Sequence, residues 1–194
     1  MSKTRIAARL SPLGLLSLTA CVNSDTSIIQ LADGSYFSVA TGTAYKGLLS
    51  NALVYIDYDD AALANSATVR TDSNGKYTLS TLNNNYTIVV VTDGSTIDGS
   101  TGAVLSGVTL KAPSGATVVT ATTTLMEEGN LTAAQVNGVL GLGAHINPLT
   151  FNAFAAENLN TADALAVEIK SHQIMSVVNG FAAAIEGSGA SQED

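Results

Sequence analysis

The sequence predicts an α+β protein: a β-sandwich over residues 38–117 followed by a helical segment over residues 118–187. Three observations carry that expectation. Between Ser38 and Thr117 the apolar residues come in short β-branched or aromatic runs broken by Asp, Asn, Ser and Gly. Past Thr120 their spacing lengthens to three and four, the period of a helix with one buried face. Charged residues are only 12% of the chain, so Thr, Ser, Asn and Gly must supply the polar surface, a composition that suits a β-rich protein outside the cytoplasm.

From Ser38 onward each element has a local signature. "ALVYIDY" (Ala52 to Tyr58) is a strand with Leu53 and Tyr55 on one face and Val54 and Ile56 on the other. "ATVRT" (Ala67 to Thr71) and "KYTL" (Lys76 to Leu79) flank Asp72-Ser73-Asn74-Gly75, the strongest hairpin signal in the chain, because Asp, Ser and Asn bond their own backbone in turns and Gly75 accepts a positive φ. "YTIVVVT" (Tyr86 to Thr92) is continuously apolar, as expected of a central strand covered on both faces. A loop over Asp93 to Gly102 precedes short strands around Val104-Leu105 and from Val108 to Leu110. Pro113 and Gly115 then mark a turn. Thr120 is placed to cap a short helix ending at Gly129, Thr132 to cap Ala133–Leu142, and Thr161 to cap a long helix reaching Ile185. In that last helix Val167, Ser171, Ile174, Val178, Phe181 and Ile185 form one stripe expected to be buried, and residues 188–194 form a fraying tail.

The first residues raise a different question, since the chain has one cysteine and one thiol makes neither an internal disulfide nor a Cys-rich metal site. Lys3, Arg5 and Arg9 form a basic leader, followed from Leu10 to Leu18 by an apolar run, interrupted by Ser11 and Pro12, that is too short to span a bilayer. Leu18-Thr19-Ala20-Cys21 resembles the lipobox of bacterial lipoproteins. That resemblance implies a signal peptide over residues 1–20, cleavage after Ala20, diacylglycerol on the Cys21 sulfur, and a tether over residues 21–37 in which Ile28, Ile29 and Leu31 are able to dock as a strand. The expected location is the cell envelope, with the membrane as partner through the lipid. Val22, standing where an aspartate would direct retention at the inner membrane, points to the outer one. Cleavage removes three basic residues and no acid, taking the net charge from −8 to −11, which excludes nucleic acid as a partner.

Further on, four features resemble the repeat modules of large bacterial surface adhesins: Gly47 to Ala52 before the first long strand, the Thr71-Asp72-x-Asn74-Gly75-x-Tyr77 turn, the passage from Leu110 through Pro113 and Gly115 to Thr120, and Leu140-Gly141-Leu142 closing a helix. Such modules join a carboxypeptidase-regulatory-like sandwich, transthyretin-like and Ig-like in outline, to a helical stretch. The similarity runs from Gly42 to Ser188 and implies a non-catalytic surface domain, adhesin-like or scaffolding, whose partner is a surface protein or a glycan. Related modules often carry calcium after the "VYID" strand. Here Asp57, Asp59 and Asn65 occupy the first, third and ninth positions of such a loop, with Asp60 nearby, so calcium is the one cofactor expected; Ala61 and Ala62 depart from the usual ligand and glycine. Two alternatives stand beside this reading: a fibre subunit donating "TSIIQLADGSYFSV" (Thr26 to Val39) to a neighbour's sheet, and a glycan or small-molecule binding module.

Catalytic constellations are thin. His145 falls in a loop and His172 in the last helix, neither with a metal-ligand partner at helical spacing. Ser73-x-x-Lys76 has the spacing of penicillin-recognising enzymes but lies in a β-turn instead of at a helix start. Glu127 and Glu128 are adjacent and leave a helix on different sides. The six tyrosines, Tyr36, Tyr45, Tyr55, Tyr58, Tyr77 and Tyr86, are expected mainly to pack the strands, although aromatic faces also suit sugars. The chain is therefore not expected to be an enzyme.

Overall fold

The computed structural model describes residues 27–30, 36–58 and 68–187, and these form an α+β fold of strands in several sheets with three helices, one of them C-terminal. The strands are β1 (Ser27–Gln30), β2 (Tyr36–Ala44), β3 (Leu49–Ser50), β4 (Leu53–Tyr58), β5 (Val69–Arg70), β6 (Lys76–Thr81), β7 (Tyr86–Val91), β8 (Ile97–Asp98), β9 (Thr109–Pro113) and β10 (Val118–Val119). The helices are α1 (Ala121–Gly129), α2 (Ala133–Leu140) and α3 (Ala162–Gly187). Among the described residues, no helix is long and apolar enough to cross a membrane.

Two four-stranded sheets share one core. The first is built on β2, which pairs antiparallel with β1 and β6 and, at Thr43 and Ala44, parallel with β10. The second runs β5-β4-β7-β9, antiparallel throughout. Alternation decides what each strand buries: Val54, Ile56 and Tyr58 of β4, Tyr77 and Leu79 of β6, and Leu110 and Ala112 of β9 all face the common core. In β7, Ile88 and Val90 enter that core while Val89 on the opposite face is also buried, matching its unbroken apolar run.

The turn at Asp72 to Gly75 has the expected local chemistry, with the Asp72 carboxylate accepting from the N–H groups of Asn74 and Lys76 at 2.8 Å and Gly75 at φ +71°. The flanking strands nevertheless do not make a hairpin. β5 pairs with β4 and β6 with β2, so the turn carries the chain from one sheet to the other. The cause lies in what holds each flank: the Thr71 hydroxyl donates to the Leu49 carbonyl at 2.5 Å and accepts from the Ala52 N–H at 2.9 Å, while the Gly75 carbonyl accepts from the Ala44 N–H at 2.8 Å.

Three other expectations change. Residues 27–30 of the expected tether form β1, in line with the expectation that Ile28 and Ile29 are able to dock as a strand, while the segment expected as a strand donor to a neighbour contributes β1 and the start of β2 within its own sheet. Val104 makes only an isolated bridge to Ile97, whereas β9 extends through Pro113, which an edge strand tolerates because its missing N–H is not needed there. Of the expected α3 stripe, Val167 and Ser171 are buried, Ile174 is half-buried and Val178 and Phe181 are exposed, because the helix runs past the body it packs on; Met175, beside the stripe, is buried, and the Ile185 side chain lies outside the described residues.

The helical caps follow the sequence. Thr120 and Thr123 bond reciprocally at the start of α1, Thr132 and Gln135 do the same at α2, and the Thr161 hydroxyl accepts from the Ala164 N–H at 3.1 Å. Smaller cores join this half to the sheets. Tyr45 donates to the Phe151 carbonyl at 2.8 Å and meets the Phe154 ring edge-on at 5.3 Å, beside Val118 and Ala164.

Candidate functional site

The expected site residues divide. Cys21, Asp59, Asp60 and Asn65 lie outside the described residues; Asp57 is at the outer end of β4 with its side chain exposed. It sits in register with Thr87 of β7, and the next strand brings Lys111 to the same corner. Helix α1 adds two carboxylates: the Thr87 hydroxyl donates to Glu127 Oε1 at 2.5 Å, and Lys111 Nζ pairs with Glu128 at 2.7 Å. The hydrogen bond to Glu128 raises the Lys111 pKa, partial burial opposes the rise, and the charges of Glu128, Asp57 and Glu127 add to it. An exposed carboxylate at Asp57 suits an oxygen ligand for calcium, but Asp57, Glu127 and Glu128 gather around an ammonium instead of one shared point. Among the described residues, no three His, Cys, Asp or Glu side chains group as a metal ion requires.

A second feature is concave. Two adjoining clefts of about 390 Å³ and 450 Å³ open between β2, β6 and the loop around Asn152, and they share Thr43, Lys76, Asn152, Ala155 and Glu157. Asn152 Nδ2 donates to Thr43 Oγ1 at 3.3 Å and so fixes the loop over the sheet. The walls offer hydroxyls, an amide and one charge of each sign, which is chemistry for hydrogen-bonding a polar ligand. Tyr45, Tyr58 and Tyr77 are buried in the cores, so they do not form an exposed stacking platform.

Sequence reasoning missed two juxtapositions. His145 Nε2 lies 2.7 Å from Asp163 at an exposed point where α3 begins, and Lys46 Nζ lies 3.0 Å from the buried Asp98 carboxylate. Burial works against the Asp98 carboxylate, yet Lys46 and the Ser100 N–H outweigh it and hold its pKa below the ordinary value. Its contribution to stability is therefore present above the ordinary carboxylate range and lost as pH falls through the lowered value. Nearby Glu168 moves the other way: burial raises its pKa, the His172 charge lowers it and Asp98 raises it. A raised carboxyl stabilises the fold when protonated, and that stability is lost as pH rises through the folded value. Glu168→Gln is thus expected to melt slightly higher than wild type at pH 7, with the difference vanishing near pH 4; a constant difference across that range in thermal melts would refute the assignment. No sequence signal announces either pair, because each joins residues from distant elements.

No protein-family model matches this chain, and no match is found among the curated proteins or the solved structures.

Proposed function

We propose that this chain is a lipid-anchored, non-enzymatic protein of the bacterial cell envelope, held at the outer membrane by Cys21 and using a transthyretin-like domain for attachment or scaffolding. The observation that carries the reading is the lone cysteine closing Leu18-Thr19-Ala20-Cys21 behind a basic and apolar leader. The position of β1 supports it, because Ser27 follows Cys21 by six residues, a reach of about 20 Å even when fully extended. An anchor there keeps the domain close to the lipid surface, and acylation by more than one chain makes such an anchor durable. The two sheets with a shared core, followed by helices, are compatible with the adhesin-type module that the turn and Pro113 passages resemble.

Metabolic labelling with palmitate tests the reading directly. Wild type is expected to take up label and sediment with membranes, and Cys21→Ala to lose label and most of the membrane-bound fraction. An unlabelled wild type would remove the anchor, while a labelled protein fully shielded from protease on intact cells would keep the anchor and remove the surface role.

A further inference from the structure

We propose that the exposed end of α3, with the groove beside it, is the surface through which two copies of this chain associate. Among the described side chains of α3, the last buried one is Met175; beyond it Val177, Val178 and Phe181 are 58%, 53% and 68% exposed. From Ser176 to Gly187 the helix continues for about 18 Å at the usual rise per residue. This end propagates from the packed half of the 26-residue α3 and needs no nucleus of its own, but Val177, Val178 and Gly180 are weak helix formers, so a packing partner on its apolar face stabilises it. Leu165, Ile169, Val177 and Phe181, all exposed, lie on one i+4 row, the kind of ridge by which helices interlock.

Charge and shape select the partner. From Ser171 to Ile185 there is no Asp, Glu, Lys or Arg, in a chain of net charge −8. A two-fold interface brings a patch against itself, so a charged patch repels its own copy and an uncharged one does not. A basic partner would seek the acidic surface, and an anionic surface would need cations that this stretch lacks. Beside the ridge, α1, α3 and β9 enclose a mainly apolar groove of about 350 Å³, lined by Leu110, Leu125, Ile174, Met175 and Val178, with Glu128, the one acid on its wall, already paired with Lys111. One patch thus carries both a projecting ring and a hollow. In a two-fold pair the Phe181 of each copy enters the groove of the other, and this pairing does not depend on the lipid anchor.

Sedimentation equilibrium of the full chain in mild detergent tests the assignment against Phe181→Glu, Val177→Glu and Phe181→Ala, with Leu82→Glu as control because Leu82 is 59% exposed on the β6–β7 connection. Wild type is expected to form a dimer. Each Glu variant should weaken the dissociation constant at least about tenfold while still unfolding in one cooperative transition, Phe181→Ala should do so less, and the control should match wild type. A monomeric wild type at all concentrations, a Phe181→Glu chain that pairs as tightly as wild type, or equal weakening by the control would overturn it. So would a monomer that floats with phosphatidylcholine vesicles in a Phe181-dependent way, since that assigns the patch to lipid.

Discussion

Gly75→Ala is expected to lower stability by about 2–4 kcal/mol, read as a lower urea midpoint with an unchanged slope. Two costs combine. Gly75 sits at φ +71°, where a Cβ costs about 1 kcal/mol, and the added atom would lie 2.5 Å from the Ala44 carbonyl oxygen, well inside contact distance. That oxygen belongs to β2, and the Ala44 N–H is bonded to the Gly75 carbonyl at 2.8 Å, so the strain falls on the corner joining the two sheets. Gly115→Ala separates the two costs. Gly115 has φ +81° but open space around its missing Cβ, and its replacement should cost only the conformational part, about 1 kcal/mol. Equal losses at the two glycines would mean that the corner is not closely packed.

The second large effect contrasts neighbouring threonines. The Thr123 hydroxyl accepts from the Thr120 N–H at 2.8 Å and donates to the Lys111 carbonyl at 2.8 Å, in a fully buried position. Thr123→Val keeps the volume but leaves an N–H and a carbonyl without that partner, an expected loss of about 2–3 kcal/mol. Thr122 is equally buried, yet its hydroxyl has no hydrogen-bond partner among the described residues. Thr122→Val is therefore expected to be neutral or stabilising by up to about 1 kcal/mol. Differential scanning calorimetry of the pair would decide it: a loss at Thr122 comparable to that at Thr123 would remove the distinction.

What was legible in the sequence was what local chemistry determines. Thr120, Thr132 and Thr161 cap helices through hydroxyls that reach no further than three residues, and β4, β6 and β7 follow their own alternation or apolar run. The residues Asp72 to Gly75 specify a turn but not a hairpin, because the same four residues reverse the chain whether the flanks pair with each other or with separate sheets. Periodicity in α3 predicted an apolar stripe, but not that its cover would end at Met175. The acidic corner was out of reach for a related reason. Asp57, Lys111 and Glu128 come from three elements, and only β4-β7-β9 pairing and the docking of α1 bring them together. The Cys21 reading needs no tertiary information, since its flanking residues alone carry the resemblance.

The threonines of α1 have one more consequence. β9 is the last strand of its sheet, and the backbone of Lys111 is met by Thr124 at its N–H and by Thr123 at its carbonyl, while Pro113 brings no N–H at all. An open strand edge can template a foreign strand and seed a cross-β aggregate. Here a helix from the same chain has taken that place at Lys111, so the protein is guarded against self-templating along this side of the sheet.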